Sequence, residues 1–117
     1  MDENEALAAL RNGWSPLGVK IDAYLNPRNR TVSLTKIEVK KDLQKTGLGT
    51  KAMEDLVAYA DQYGLMITLS PSTDFGASSV ARLRRFYERF GFVQNKGRNR
   101  LFEISDSMYR LPGGAPA

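Results

Sequence analysis

The stretch Gln44-Lys45-Thr46-Gly47-Leu48-Gly49 constrains this chain more than any other. An apolar run from Val32 to Val39 precedes it and reads as a strand. A helical pattern begins at once: Leu48, Ala52, Leu56, Ala60 and Tyr63 recur at helix spacing, Met53 and Val57 widen the stripe, and Gly64 marks the stop. Leu65 to Leu69 is then a short, apolar strand. A strand, a helix and a strand at this spacing form a crossover, so the two strands must be parallel. The turn between them aims backbone N–H groups, and the positive end of the helix, at whatever lies in front of it. That arrangement favours an anion, above all a phosphate. Its glycines let the backbone approach a ligand with no Cβ in the way.

The rest of the chain frames this crossover. Ala6 to Leu10 is a short helical stretch with a stop near Asn12-Gly13. Val19, Ile21, Ala23 and Leu25 alternate, so Gly18 to Leu25 is a strand. Asn26-Pro27-Arg28-Asn29 turns it into the strand Thr31 to Val39, making an antiparallel hairpin with Ile37 and Val39 on one face and Lys36 and Glu38 on the other. After the crossover, Ser70 to Ser79 is a loop. Val80, Leu83, Phe86, Tyr87 and Phe90 then line a second helix that ends at Gly91. Phe92-Val93 opens a strand, Asn95 to Asn99 turns, and Arg100 to Ile104 is expected to return as its antiparallel partner. The expected fold is a mixed α/β domain: an antiparallel hairpin, a βαβ crossover, a closing helix and a closing hairpin. At 117 residues it suits one domain, 1–117, with its core over 17–105 and a Pro- and Gly-bearing tail, 111–117, expected to fray.

Composition narrows the chemistry. Cysteine is absent, which excludes disulfides, thiolate metal sites and a cysteine nucleophile. Histidine is absent too, so acid–base work falls to Asp, Glu, Tyr, Lys, a terminus or water, and no metal site is expected. No apolar stretch is long enough to span a bilayer, and the acidic start Met1-Asp2-Glu3-Asn4-Glu5 does not fit a secretory signal, so a cytoplasmic protein is expected. The net charge of +4 is uneven. Lys36, Lys40, Lys41, Lys45 and Lys51 surround the glycine turn, and seven basic residues between Arg82 and Arg100 face a single acid, Glu88. Such clusters suit an anionic ligand or partner; a solvated basic surface is the plainer reading of any one of them.

The motif Q-x-x-G-x-G at Gln44 to Gly49, behind Ile37-Glu38-Val39, and the later Phe86-Tyr87-Glu88-Arg89-Phe90-Gly91-Phe92 together resemble the GNAT superfamily of acyl-CoA-dependent N-acyltransferases. The resemblance covers roughly residues 17–105. It implies that the strand before the turn splays from its parallel neighbour, so that Ile37, Glu38 and Val39 offer backbone groups to a pantetheine arm. The amides of Gln44, Lys45, Thr46, Gly47, Leu48, Gly49 and Thr50 would hold a pyrophosphate. Tyr87 matches the tyrosine that protonates the departing thiolate. The family often carries Asn seven residues before that tyrosine; here Val80 stands there, with Ser78 or Ser79 as substitutes. The part before Leu17 is also shorter than the family's acceptor-side elements, which leaves an open acceptor pocket or one completed by a second subunit, a homodimer.

The resemblance therefore implies an N-acetyltransferase that moves an acetyl group from acetyl-CoA directly to an amine acceptor; the basic balance argues against polyamines and fits an acidic peptide, a protein N-terminus or a lysine better. Glu38 is the first candidate for general base, with Asp74, Glu103 and a water chain as alternatives. Against these stand plainer roles: Gly47 and Gly49 shaping a tight turn, Tyr87 as core, Glu38 as a solvated strand residue, Asp74 as a cap and Trp14 as packing. Two other functions fit the same fold: a non-catalytic CoA-binding module, and a nucleic-acid binder using the Arg82–Arg100 face. The aromatics of that face fall on the buried stripe of their helix, which argues against stacking on bases.

Overall fold

The structure is a computed structural model that describes residues 2–71 and 80–114. The chain starts in a helix, α1 (Glu3–Trp14), because Asp2 caps it: its carboxylate accepts the Glu5 N–H at 2.8 Å, and Glu3 and Glu5 place negative charge in the first turn. This helix is longer than the stretch Ala6 to Leu10 expected from the sequence and runs straight through Gly13. Tertiary contacts override the glycine. The Trp14 indole N–H donates to Asp55 at 2.8 Å, the Tyr59 hydroxyl donates to the Glu3 carbonyl, and Leu7 is buried. The Ser15–Leu17 turn and Gly18, whose φ is +89°, then reverse the chain. A Cβ at Gly18 would stand 2.5 Å from a Leu43 methyl, which would have to move, and the positive φ is what favours glycine there.

Strands β1 (Val19–Asn26) and β2 (Thr31–Val39) form the expected antiparallel hairpin. The glycine turn leads into α2 (Leu48–Tyr63), which ends at Gly64 with φ +67°, and β3 (Met66–Leu69) comes next, parallel to β2. Helices α1 and α2 pack on each other and on the β1–β2 hairpin. Between them lies the core: Val19, Ile21, Val32, Leu34, Met53 and Leu56 are all nearly fully buried. Later in the chain come α3 (Val80–Glu88), β4 (Val93–Gln94) and β5 (Met108–Arg110). The sheet order is β1-β2-β3-β5-β4.

The closing hairpin is present, but its return strand is not Arg100 to Ile104. β4 pairs instead with β5, through Val93↔Tyr109 and Gln94↔Met108, and β5 also pairs with β3. The reason is Asn95. Its buried side-chain amide donates toward the Leu101, Ile104 and Asp106 carbonyls, and its oxygen accepts the Leu101 N–H at 2.7 Å. These side-chain bonds satisfy the backbone of 101–106 locally, in competition with a ladder. Glu103, expected on the last strand, therefore stands exposed in this loop.

Arg110 is a charged residue in an inner strand, only 5% exposed. It is satisfied on every side. Its guanidinium bonds both Asp61 oxygens at 2.7 and 3.0 Å, and its Nε donates to the Phe90 carbonyl at 2.6 Å. Of the tail read as frayed, 111–114 lies within the described residues, and there the Gly113 N–H donates to the same Asp61 carboxylate at 2.7 Å.

Candidate functional site

β2 and β3 pair only from Thr31↔Met66 to Leu34↔Leu69, after which β2 runs on for five residues without its parallel neighbour. β1 stays paired to β2 throughout, but the register slips: Asp22 faces Lys36 while Ala23 faces Leu34, which leaves Thr35 as an extra residue. A one-residue bulge bends and twists the strand that carries it. It sits beside the last β2–β3 pair, Leu34↔Leu69, so β2 is bent at the point where it runs on past the end of β3.

The backbone direction along that end of β2 is set by the ladder. The Lys40 N–H donates to the Gly18 carbonyl at 2.8 Å, so Gly18 and Lys40 are a bonded pair. In an antiparallel ladder bonded pairs alternate, which makes Lys20/Glu38 and Asp22/Lys36 the next two. Ile37 and Val39 lie between them. Their N–H and C=O groups point away from β1, on the side where β3 has ended, while their side chains pack on the core. The Gln44 side-chain amide reaches back to the Val39 carbonyl at 3.2 Å and ties the strand end to the turn.

The turn itself is locked by the Thr46 hydroxyl donating to the Leu43 carbonyl, with Lys45 and Gly47 at φ +67° and +85°. Gly47 is the residue before α2, and the Lys51 N–H bonding to its carbonyl closes the first turn. The N–H groups of Leu48, Gly49 and Thr50 therefore have no acceptor within the helix. The two long helices differ here. α1 has a capping carboxylate and two acids in its first turn; α2 has no side-chain cap and no acid in its first turn. A Cβ at Gly49 would meet Val39 at an ordinary 3.5 Å, and one at Gly47 would meet nothing within 4 Å. Packing within the chain thus does not demand glycine at either position. Lys40, Lys41, Lys45 and Lys51 stand exposed around this donor cluster. The strand end, the turn and the open helix terminus thus lie side by side, and an uncapped helix terminus ringed by cations is an arrangement that suits an anion.

Tyr87 lies on α3 and is 7% exposed, with its ring against Phe92 at 5.7 Å between centroids and edge-on to Phe86. Burial raises its phenol above the ordinary 10.0, so it keeps its proton at neutral pH. Glu38 sits on the exposed face of β2, paired with Lys36 at 3.0 Å. That hydrogen bond and charge, with Lys20 adding to them, hold its carboxyl below the ordinary 4.5. Ser78, Ser79 and Asp74 lie outside the described residues. Among the described residues no cluster of acids could hold a metal ion, and no helix is long and apolar enough to cross a membrane.

Three features of the site were not anticipated from the sequence. The Thr35 bulge was signalled, since apolar positions switch from 32 and 34 to 37 and 39 within one strand. The Gln44 tie and the missing cap on α2 depend on geometry that spacing alone does not carry.

The sequence model of the Acetyltransferase (GNAT) family matches residues 6–92. No curated protein matches the chain. Among solved structures, Ard1 from Thermoplasma volcanium shares the fold with a TM-score of 0.54 at 18% identity, over 90% of this chain and 76% of that one. Nourseothricin acetyltransferase is similar at a TM-score of 0.51 and 18% identity, over 79% of this chain and 55% of that one. A family match over most of the chain agrees with a strand that outruns its parallel neighbour beside an uncapped helix, and the chain belongs to the GNAT acetyltransferase family, whose chemistry is acyl transfer.

Proposed function

We propose that the protein is an N-acetyltransferase that moves the acetyl group of acetyl-CoA directly to an amine on a protein or peptide, in the cytoplasm. The observation that carries this reading is the adjacency of two backbone surfaces. The Ile37 amide and carbonyl and the Val39 amide face away from β1, the Val39 carbonyl is held by the Gln44 side chain, and the uncapped start of α2 lies at the end of that same strand. A pantetheine arm would run along the first as an added strand, and its pyrophosphate would rest on the amides from Gln44 to Thr50. Lys45 adds a charge at the turn.

The acceptor nitrogen attacks the thioester carbonyl carbon, and the C–S bond breaks as the new C–N bond is completed. Strand amides near Val39 stabilise the oxygen as charge develops on it. Tyr87 gives its proton to the departing sulfur, a role that suits a phenol kept protonated by burial, and the second proton that the nitrogen loses as the amide forms restores the phenol. Glu38, ionised but made a weaker base by Lys36, relays the first proton that the acceptor ammonium must lose, through water to solvent. No covalent enzyme intermediate is required, in keeping with a chain without cysteine.

Calorimetry with acetyl-CoA tests cofactor binding. Binding in the micromolar range that weakens about tenfold in Gly47→Ala is expected; no binding to the wild-type protein would refute the proposal. A thiol-release assay against a panel of free amines and peptides then tests transfer.

A further inference from the structure

Phe102 is 83% exposed, the most exposed large apolar side chain among the described residues. An exposed aromatic alone means little. This one is held out by a loop that is unusually well fixed. The Asn95 amide bonds the loop's backbone from inside, the Asn95 N–H donates to Ser107 at 2.8 Å, and the Tyr109 hydroxyl bonds Asn99. Ser70, at the end of β3, accepts the Ser107 N–H at 3.1 Å and donates to Asp106 at 3.3 Å. The loop is therefore fastened to the end of β3. Arg100 lies over one face of the Phe102 ring, 5.2 Å from its centroid. Lys96, Arg98 and Arg100 are exposed, and among the described residues the ion pairs are made by Arg30, Lys36 and Arg110 instead. The loop's two acids, Glu103 and Asp106, leave the three cations in excess, and Asp106 is turned to Ser70 at the end of β3.

We propose that this loop docks an acidic peptide segment of the acceptor, with Phe102 as the apolar anchor and Lys96, Arg98 and Arg100 as the charge contacts. The assignment of that segment to the acceptor rests on the acyl-transfer reading. Displaying Phe102 from a pre-ordered loop lowers the entropy lost on docking, and the three cations select the sign of the partner. A single ring with one face already covered by Arg100 offers no row of stacking platforms, which favours peptide over single-stranded nucleic acid.

Fluorescence anisotropy on the full chain tests this with a labelled pool of decapeptides randomised over Asp, Glu, Leu and Phe. A matched pool has Lys in place of Asp and Glu. The acidic pool is expected to bind, with about tenfold weaker binding in Phe102→Ala and about fivefold weaker in Arg100→Gln, and circular dichroism unchanged in both. No binding of the acidic pool, equal binding of the basic pool, or wild-type affinity in Phe102→Ala would overturn the proposal. Tighter binding of an oligo-dT strand would overturn it in favour of nucleic acid. Acetyl-CoA calorimetry on the same proteins separates the two readings. Phe102→Ala leaves that affinity unchanged, whereas a wild-type protein that takes the acidic pool but not acetyl-CoA defeats the acyl-transfer reading alone.

Discussion

Replacing Asp61 by Ala removes the acceptor around which the C-terminal part of the sheet is tied to α2. The carboxylate takes two guanidinium bonds from Arg110 and the Gly113 N–H. Arg110 is left 5% exposed with its charge unpaired, keeping its bonds to the Phe90 and Leu111 carbonyls. Breaking a buried pair from one side costs about 3–5 kcal/mol. The Asp61 side chain is 37% exposed, so solvent screening moves the expectation to the low end, about 3 kcal/mol. In a domain of this size that is a fall in Tm of about 12 °C or more. Urea unfolding followed by far-UV circular dichroism reads it as a lower midpoint at constant slope. The pairing also fixes the sign of the pH effect. Arg110 holds the folded-state pKa of Asp61 below its ordinary 3.8, so this stability is fully present above about pH 4 and is lost as pH falls through the lower folded value. Asp61→Asn removes that acid-range slope. A loss under about 1 kcal/mol in Asp61→Ala would refute the reasoning, and so would an Asp61→Ala/Arg110→Met double variant no more stable than the single one.

Other expectations concern the site and the helix ends. Tyr87→Phe lowers kcat about a hundredfold while acetyl-CoA affinity by calorimetry is unchanged; unchanged turnover removes Tyr87 from the mechanism. Glu38→Gln lowers kcat, and because Lys36 depresses the Glu38 pKa, the acid limb of the wild-type kcat profile lies below pH 4.5; a limb near pH 7 would assign the proton transfer elsewhere. Gly47→Ala forces an L side chain to φ +85° and costs about 1–2 kcal/mol in thermal unfolding, with no steric clash to confuse the result. Asp2→Ala removes the α1 cap and lowers the midpoint of thermal unfolding, whereas Asp2→Asn, which can still accept the Glu5 N–H, lowers it less.

The first two-thirds of the fold was legible because its signals are local. Alternation at Val19, Ile21 and Ala23 gave β1, the stripe from Leu48 to Tyr63 gave α2, and Gly64 ended it where the structure ends it. In the C-terminal third α3 and the start of β4 were legible too, but the return strand was not, because its decisive bonds are distant or polar. Arg110 reads as a surface residue until Asp61, 49 positions earlier, is placed against it. Asn95 reads as a turn residue, and only the folded loop shows its amide serving backbone groups as far away as Asp106. The same distinction runs through the candidate site. The glycine turn announces itself by residue type, but the absence of a cap on α2 appears only beside a helix that has one.

Thr35 has a wider consequence. β2 carries one residue more than β1 needs, and the surplus is absorbed so that Val32, Leu34, Ile37 and Val39 all still serve the core. Dropping that residue would leave each inward side chain on its face and make the ladder regular. The surplus residue therefore shifts the ladder beside the point where β2 outruns β3, a length trait rather than a residue-type trait. Its mark in related chains would be the count of residues between the two apolar pairs, whatever amino acid fills the gap.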